Sequence, residues 1–256
     1  MNPRTAVVVV TRDSTRYLPE TLASIAAQDS PADLHIAIDD HSTDATRELL
    51  TSAGFAVELA TSPATDITTR IAHNFLQGLR RAQSAGADIV ILGDHDDIWH
   101  PPRISHQVGI LERNPAAAMM ASNGFFIDEH GVAIAGTLRD TFPVPADFSS
   151  WSGRKQWAYA LRYSLATGGA SALRPARLTD WSVPSGWLHD RWWSLKALRA
   201  GGLILDETPV IDYRLSEGQQ VGLSTGDQDN PRRWFAMKAR RSGRTLLRTR
   251  DLTRLI

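Results

Sequence analysis

The 256-residue sequence predicts an α/β protein with a mostly parallel central sheet flanked by helices. Three observations predict it. Short apolar, β-branched runs alternate with segments of helical spacing through the first half. Several of these runs are apolar at consecutive residues, as in strands covered on both faces. Carboxylates gather just after the runs, at the edge where open α/β sheets bind ligands.

Each element has its own signal. Ala6–Val10 reads as a buried strand, and Leu18–Gln28 as a helix with Pro19 in its first turn. Leu34–Ile38 is the second strand. Ser42 or Thr43 is placed to cap a helix running to about Ala53. Ala56–Leu59 is the third strand, and Asp66 caps a helix reaching about Ser84. Ile89–Leu92 is the fourth strand, ended by Gly93. Beyond Ile110 the alternation weakens. Ala118–Ala121, Ala170–Leu173, Leu203–Leu205 and Val210–Tyr213 read as strands. Gly136 to Gly153, with Pro143 and Pro145, reads as a long loop of the kind that forms active-site lids. A helix from about Leu188 to Ala200 stops at Gly201-Gly202.

Composition excludes several classes. The chain has no Cys, which removes a disulfide framework, a Cys-based zinc site and a thiol nucleophile. Lys plus Arg and Asp plus Glu are both 28, so the balanced charge argues against a nucleic-acid binder. No apolar run approaches the ~20 residues of a membrane span. No segment has the features of a secretory signal, so the expectation is a cytoplasmic protein. The charge is concentrated at one end. Pro231–Ile256 holds nine basic residues against Asp251 alone, which leaves a net charge of −8 on the rest. Trp234, Phe235, Leu246 and Leu247 are interspersed there. Such a tail suits peripheral contact with the inner face of an anionic membrane, or a solvated helix packed on the body.

The chemistry centres on two acidic segments. Asp39 and Asp40 follow the second strand; Asp94, Asp96 and Asp97 follow the fourth. Three carboxylates in Asp94-His95-Asp96-Asp97 repel one another unless a proton or cation intervenes. A divalent cation bound with a diphosphate relieves that repulsion, and hard oxygen ligands suit Mg²⁺ or Mn²⁺. Alone, such a triplet is a weak signal that occurs by chance in acidic turns; its position after an apolar strand and before Ile98-Trp99 strengthens it.

In its motifs the chain resembles family 2 glycosyltransferases of the GT-A fold, particularly their bacterial rhamnosyltransferase-like branch. Four segments carry the likeness. The first is Val7-Val8-Val9-Val10-Thr11-Arg12-Asp13 with Tyr17-Leu18-Pro19-Glu20. The second is Ile38-Asp39-Asp40-His41-Ser42-Thr43-Asp44. The third is Asn74 with Gly93-Asp94-His95-Asp96-Asp97-Ile98-Trp99. The fourth is Thr167-Gly168-Gly169, His189-Asp190-Arg191-Trp192-Trp193 and Tyr213-Arg214. They span roughly residues 5 to 222.

The resemblance implies a GT-A, Rossmann-like sheet with a C-terminal acceptor-binding half. It implies nucleotide-sugar binding by residues 1–115, acceptor binding and catalysis by 116–225, and a basic helical tail at 226–256. It implies a UDP- or dTDP-sugar donor, a hydroxyl acceptor on a glycan, lipid-linked saccharide or specialised metabolite, and transfer with inversion. Thr11, Arg12, Asp13, Asp39, Asp40, Asn74, Asp94 and His95 would bind the donor nucleotide. Asp96, with Asp94, would hold Mn²⁺ or Mg²⁺. Asp190 would be the general base, and a helix N-terminus favours its ionised form. Trp99, Gly168, Gly169, His189 and Arg214 would be acceptor or auxiliary residues, with core packing the alternative for Trp99. The sequence departs from the family at Arg12, where Tyr is frequent, at Asp13, where Asn is common, and at Ser216, where the branch often has His. The loss of that His supplies the other reading, a non-catalytic nucleotide-sugar-binding or scaffold member. A dinucleotide-binding oxidoreductase is excluded, because Thr11-Arg12-Asp13-Ser14 offers no glycine-rich turn.

Overall fold

The computed structural model describes residues 2–216. The basic tail, with Glu217 and Gln219, lies outside the described residues. Four strands open the chain: β1 (Thr5–Thr11), β2 (Leu34–Asp39), β3 (Ala56–Leu59) and β4 (Ile89–Asp94). Helices α1 (Leu18–Ala26), α2 (Thr46–Ser52) and α3 (Ile67–Ser84) connect them. All four strands run parallel in the order β3-β2-β1-β4. Asp39 and Asp94 end their strands at the edge where Thr11 ends β1. That edge carries the candidate site.

The sheet is covered on both faces, as the unbroken apolar runs predict. Val7 and Val9 of β1 pack in one core with Leu18, Leu22 and Ile25 of α1 and Leu50 of α2. Val8 and Val10 pack in the other with Phe75, Leu79 and Ala82 of α3. Gly78 lets α3 lie close on the sheet; a Cβ there would stand 2.4 Å from a Val8 methyl.

The second half returns to the same sheet. After β5 (Ile98–Trp99) come α4 (Arg103–Arg113), β6 (Met119–Ile127) and β7 (Ala133–Thr137). Then follow the short α5 (Leu138–Thr141), α6 (Gly153–Arg162), β8 (Ser171–Leu173), α7 (His189–Arg199) and β9 (Leu203–Arg214). The sheet continues β4-β8-β6-β9-β5, with β7 added on β6, giving nine strands among the described residues. β8 is antiparallel to both β4 and β6, whereas β6 and β9 are parallel.

Several sequence expectations need correcting here. Ser42 and Thr43 do not cap α2. The Ser42 hydroxyl donates to Asp39 instead, and Asp44 accepts from the Thr46 N–H at the helix start. The expected loop between Gly136 and Gly153 contains the end of β7, all of α5 and a 3₁₀ turn at Phe148–Ser150. Leu203–Leu205 and Val210–Tyr213 are one strand, β9, whose pairing with β6 slips between Ala121 and Gly124. The cap at Asp66 forms as expected, accepting from the Thr69 N–H at 2.9 Å. α7 also stops as expected at Gly201, whose φ is +70°.

Candidate active site

The two loops after β1 and β2 hold each other. Asp13 and His41 both adopt left-handed backbone, with φ of 45° and 57°. Asp and His tolerate that region better than most residues, but each conformation needs external support. Asp13 accepts from the Thr43 N–H at 2.8 Å, and the His41 Nε2 lies 3.0 Å from the Ala60 carbonyl. Asp39 is sealed from solvent. It accepts from the Thr11 hydroxyl at 3.2 Å and from both the N–H and the hydroxyl of Ser42. Asp39 therefore braces the loops. Asp40 is differently placed: the Arg70 Nε reaches it at 2.6 Å and the Arg12 Nη1 at 3.5 Å. Arg12, with a side chain 39% exposed, is the accessible cation of this group.

In the loop after β4, Asp94 and Asp97 are short of donors. Asp97 is buried; its Oδ1 accepts from the Arg214 N–H at 3.1 Å, and its Oδ2 has no hydrogen-bond partner. Burial, then the neighbouring charges of Asp96 and Asp94, pushes the Asp97 carboxyl well above the usual carboxylate range. Asp94 is raised to about 7, by burial first and then by Asp96. Asp96 is buried at the centre of this loop. The main chain of His95 is tied back to α1, its carbonyl accepting from the Thr21 hydroxyl at 3.0 Å.

The loop lies against α7 through the Gly168-Gly169 turn. A Cβ on Gly169 would stand 2.7 Å from the Oδ2 atoms of both Asp94 and Asp97. A Cβ on Gly168 would stand 2.5 Å from the His189 Nε2. Only glycines allow this approach, which accounts for their adjacency. Asp190 sits in the first turn of α7. Its Oδ2 accepts from the Gly168 N–H at 3.2 Å, and its Oδ1 from the Arg191 N–H at 2.6 Å. Its charge is near enough to raise Asp94 further. The structure thus brings Asp94, Asp96, Asp97 and Asp190 to one place, although the last is remote in sequence.

Other expected site residues are placed as follows. Asn74 is fully buried on α3, and neither atom of its amide has a partner. His189 is buried between Phe75, stacked at 3.9 Å, and Trp193 at 5.1 Å. Both its ring nitrogens lack partners, and burial lowers its pKa to about 4. Trp99 is 2% exposed, with Gly93 against its ring and the Arg103 guanidinium 3.6 Å from its ring centroid. It packs under the acidic loop, the alternative given for it in the sequence. Arg214 faces inward. It donates to the Asp96 carbonyl at 2.9 Å and to Glu20 at 2.6 Å, and lies over the Tyr17 ring. In this position it fixes the acidic loop. Ser216, where the branch often has His, is buried.

Sequence reasoning missed Arg103 and Gln107, two fully buried polar residues of α4. Arg103 donates to the Leu92 carbonyl at 2.6 Å. Gln107 donates to the Ala170 carbonyl at 3.0 Å and to the Ser122 hydroxyl at 3.2 Å. No local signal in the sequence marks either one, since Trp99 lies on β5 and Arg103 opens α4.

Comparison with known proteins identifies the family and the fold. The profile described as Glycosyl transferase family 2 matches residues 6–139, just over half of the chain. The chain belongs to glycosyl transferase family 2. No curated protein matches it by sequence. Among solved structures, S. aureus TarS 1-349 with UDP-GlcNAc aligns over 91% of this chain and 66% of its own, at 17% identity and TM-score 0.61. Glucosyl-3-phosphoglycerate synthase from Mycobacterium tuberculosis is similar too, in its complex with Mn²⁺, UDP and glucosyl-3-phosphoglycerate. It aligns over 84% of this chain and 73% of its own, at 18% identity and TM-score 0.56. The mannosyltransferase PcManGT from Pyrobaculum calidifontis, with GDP-Man and Mn²⁺, aligns over 85% of this chain and 59% of its own. Its identity is 18% and its TM-score 0.57. In the first two TarS structures the chain spans 61% and 66% of their length. The fold they share with this chain is the GT-A fold. Among the described residues, no helix is long and apolar enough to cross a membrane.

Proposed function

We propose that this family 2 chain is an inverting glycosyltransferase that moves a sugar from UDP or dTDP to an acceptor hydroxyl. The observation that carries the reading is the contact of the acidic loop with Asp190 through Gly168-Gly169. A donor diphosphate and an attacking hydroxyl need cation and base within one sugar's reach, and this turn brings their candidate holders together. Thr11, Arg12, Asp13 and Asp40 line the base and ribose side, with Asp39 bracing their loops. Asn74, Asp94 and His95 extend that side. The motif pattern supports the rhamnosyltransferase-like branch and hence a hexosyl or deoxyhexosyl group.

Asp190 takes the acceptor proton as the hydroxyl oxygen attacks the anomeric carbon. The new C–O bond forms as the bond to the β-phosphate oxygen breaks, and the nucleoside diphosphate leaves with the electron pair. One displacement inverts the anomeric centre. Gly168 N–H holds one carboxylate oxygen of the base and Arg191 N–H the other. His189, kept neutral by burial, packs the base against α3.

A divalent metal fits the donor set in part. The oxygens are hard, Asp94 and Asp97 are raised by burial and by the charge of Asp96, and the Asp97 Oδ2 is orphaned. Among the described residues, however, no group of three His, Asp or Glu side chains could hold a metal. Asp96 and Asp94 would therefore share the ion with the donor's phosphate oxygens. When bound, Mn²⁺ or Mg²⁺ would neutralise charge on the departing diphosphate.

Calorimetric titration with UDP, dTDP and GDP, with and without Mn²⁺, tests this on wild type and Asp96→Ala. We expect one pyrimidine diphosphate to bind with Mn²⁺ and to be lost in Asp96→Ala. A folded protein that binds none of them sinks the transferase reading and favours the non-catalytic one.

A further inference from the structure

Arg103 carries a full charge in the interior, and no expected role in the sequence accounts for it. It is fully buried, with its guanidinium carbon 3.6 Å over the centroid of the Trp99 ring. Its Nη2 donates to the Leu92 carbonyl, two residues before Asp94, and its Nε lies 3.4 Å from the Gln107 Oε1. Gln107 in turn grips the Ala170 carbonyl, next to Gly169. The cation is therefore fastened to both sides of the site, to β4 on one and to the glycine turn on the other. Two buried atoms are left without partners there, the Arg103 Nη1 and the Asp97 Oδ2. A buried cation with no counter-charge is strongly destabilising, so its retention needs a reason. The charges that act on it are those of Asp97 and Asp94.

We propose that Arg103 is a positioning residue, the built-in counter-cation of the Asp94–Asp97 loop, which holds the loop in shape before any metal or donor arrives. The inference rests on the transferase reading of that loop. Arg103 does not touch the reacting atoms. It acts through Asp97 and Asp94, offsetting part of their repulsion, so that the nucleotide-free loop stays formed while its affinity for a divalent ion stays low. Metal capture is then tied to the arrival of the diphosphate, which brings its own negative charge. Arginine suits the position better than lysine, because its plane can stack on Trp99 while its edge donates to Leu92.

The sign of one measurement separates this from simple packing. Mn²⁺ binding to nucleotide-free protein would be followed by electron paramagnetic resonance on wild type, Arg103→Met and Arg103→Lys. Folding would be checked by near-ultraviolet circular dichroism, and UDP binding by calorimetry on the same samples. Removing a buried charge this close to the acidic loop should tighten Mn²⁺ by about tenfold or more in Arg103→Met. Arg103→Lys, which loses the stacking but keeps a cation at the same place, should stay within about twofold of wild type. A merely structural arginine predicts the reverse, since a loosened loop binds Mn²⁺ no better or worse. A folded Arg103→Met with unchanged or weakened Mn²⁺ binding overturns the proposal. If Arg103→Met does not fold, Arg103→Lys decides: wild-type-like affinity supports the counter-charge, and a tenfold loss overturns it. Wild type that binds neither Mn²⁺ nor UDP removes the transferase reading and this inference together. Wild type that binds both, beside an unchanged Arg103→Met, removes this inference alone.

Discussion

The aspartates after β1 and β2 receive many hydrogen bonds, whereas Asp94 and Asp97 after β4 receive few. Asp39 accepts from Thr11 and twice from Ser42. Asp44 accepts from the N–H and hydroxyl groups of both Thr15 and Thr46. Burial pushes Asp44 up, but those four donations outweigh it and bring the carboxyl down to about 2. Asp94 and Asp97, at a neighbouring strand end, are driven up by burial first and then by the charge of Asp96. Both clusters look alike in sequence, as Asp-rich turns after apolar strands. The supply of donors separates them. The satisfied cluster fixes loop geometry, and the starved one keeps carboxylate capacity that only a cation, a proton or Arg103 can meet.

The contrast breaks most visibly at Asp190, which stands with the starved cluster but holds two backbone donors. Asp190→Asn keeps the size and hydrogen-bonding outline of the side chain but cannot take a proton. We expect kcat to fall by about 10³-fold or more, in line with loss of a general base. UDP affinity measured by calorimetry should stay unchanged. A variant that retains activity within tenfold would place the base elsewhere.

Substitution of Asp94 should reverse the usual sign of charge removal. Its folded pKa of about 7 lies well above the ordinary carboxylate value of 3.8. The folded state therefore holds a proton that the unfolded chain releases between those values. That contribution to stability is complete below about pH 4 and is lost as pH rises towards 7. At neutral pH and above, ionised Asp94 is a burden on the fold. We expect metal-free Asp94→Asn to be more stable than wild type by about 1–3 kcal/mol at pH 7.5. The gain should vanish below about pH 4, where Asp94 is protonated in both states. Urea melts at both pH values check this, and destabilisation of Asp94→Asn at pH 7.5 would place Asp94 with the satisfied cluster.

The two clusters also mark how far the sequence could be read. β1 to β4 were legible because each of β1, β2 and β4 buries consecutive apolar residues between two layers of helices. Asp66 announced α3 by local capping chemistry. β6 and β9 were not legible at full length. They pair across the chain, and Asp206-Glu207-Thr208-Pro209 interrupts the apolar pattern of β9 where its register slips. The site shows the same division. Asp94, Asp96 and Asp190 came from a motif, but their meeting depends on Gly168 and Gly169, a tertiary contact with no local signature. Arg103 follows Pro102 at a helix start, where a charged residue normally reads as solvated surface. Its burial is set by Trp99 and Leu92, so only the fold reveals it.

The smallest expected effect lies in the satisfied cluster. Asp44 is depressed to about 2, below the ordinary carboxylate value of 3.8, so its stabilising contribution is present above about pH 4 and is lost as pH falls through 2. Asp44→Asn keeps two acceptor lone pairs but loses the charge that strengthens the Thr15 and Thr46 donations. The side chain is partly open to solvent, which screens part of that gain. We expect a loss of about 1 kcal/mol at pH 7, fading towards zero near pH 2. The sign is opposite to that at Asp94, and so is the direction of the pH dependence. Urea melts of both variants across the same pH range test the difference between the clusters directly. If both shift stability in the same direction at neutral pH, donor supply does not distinguish the two clusters.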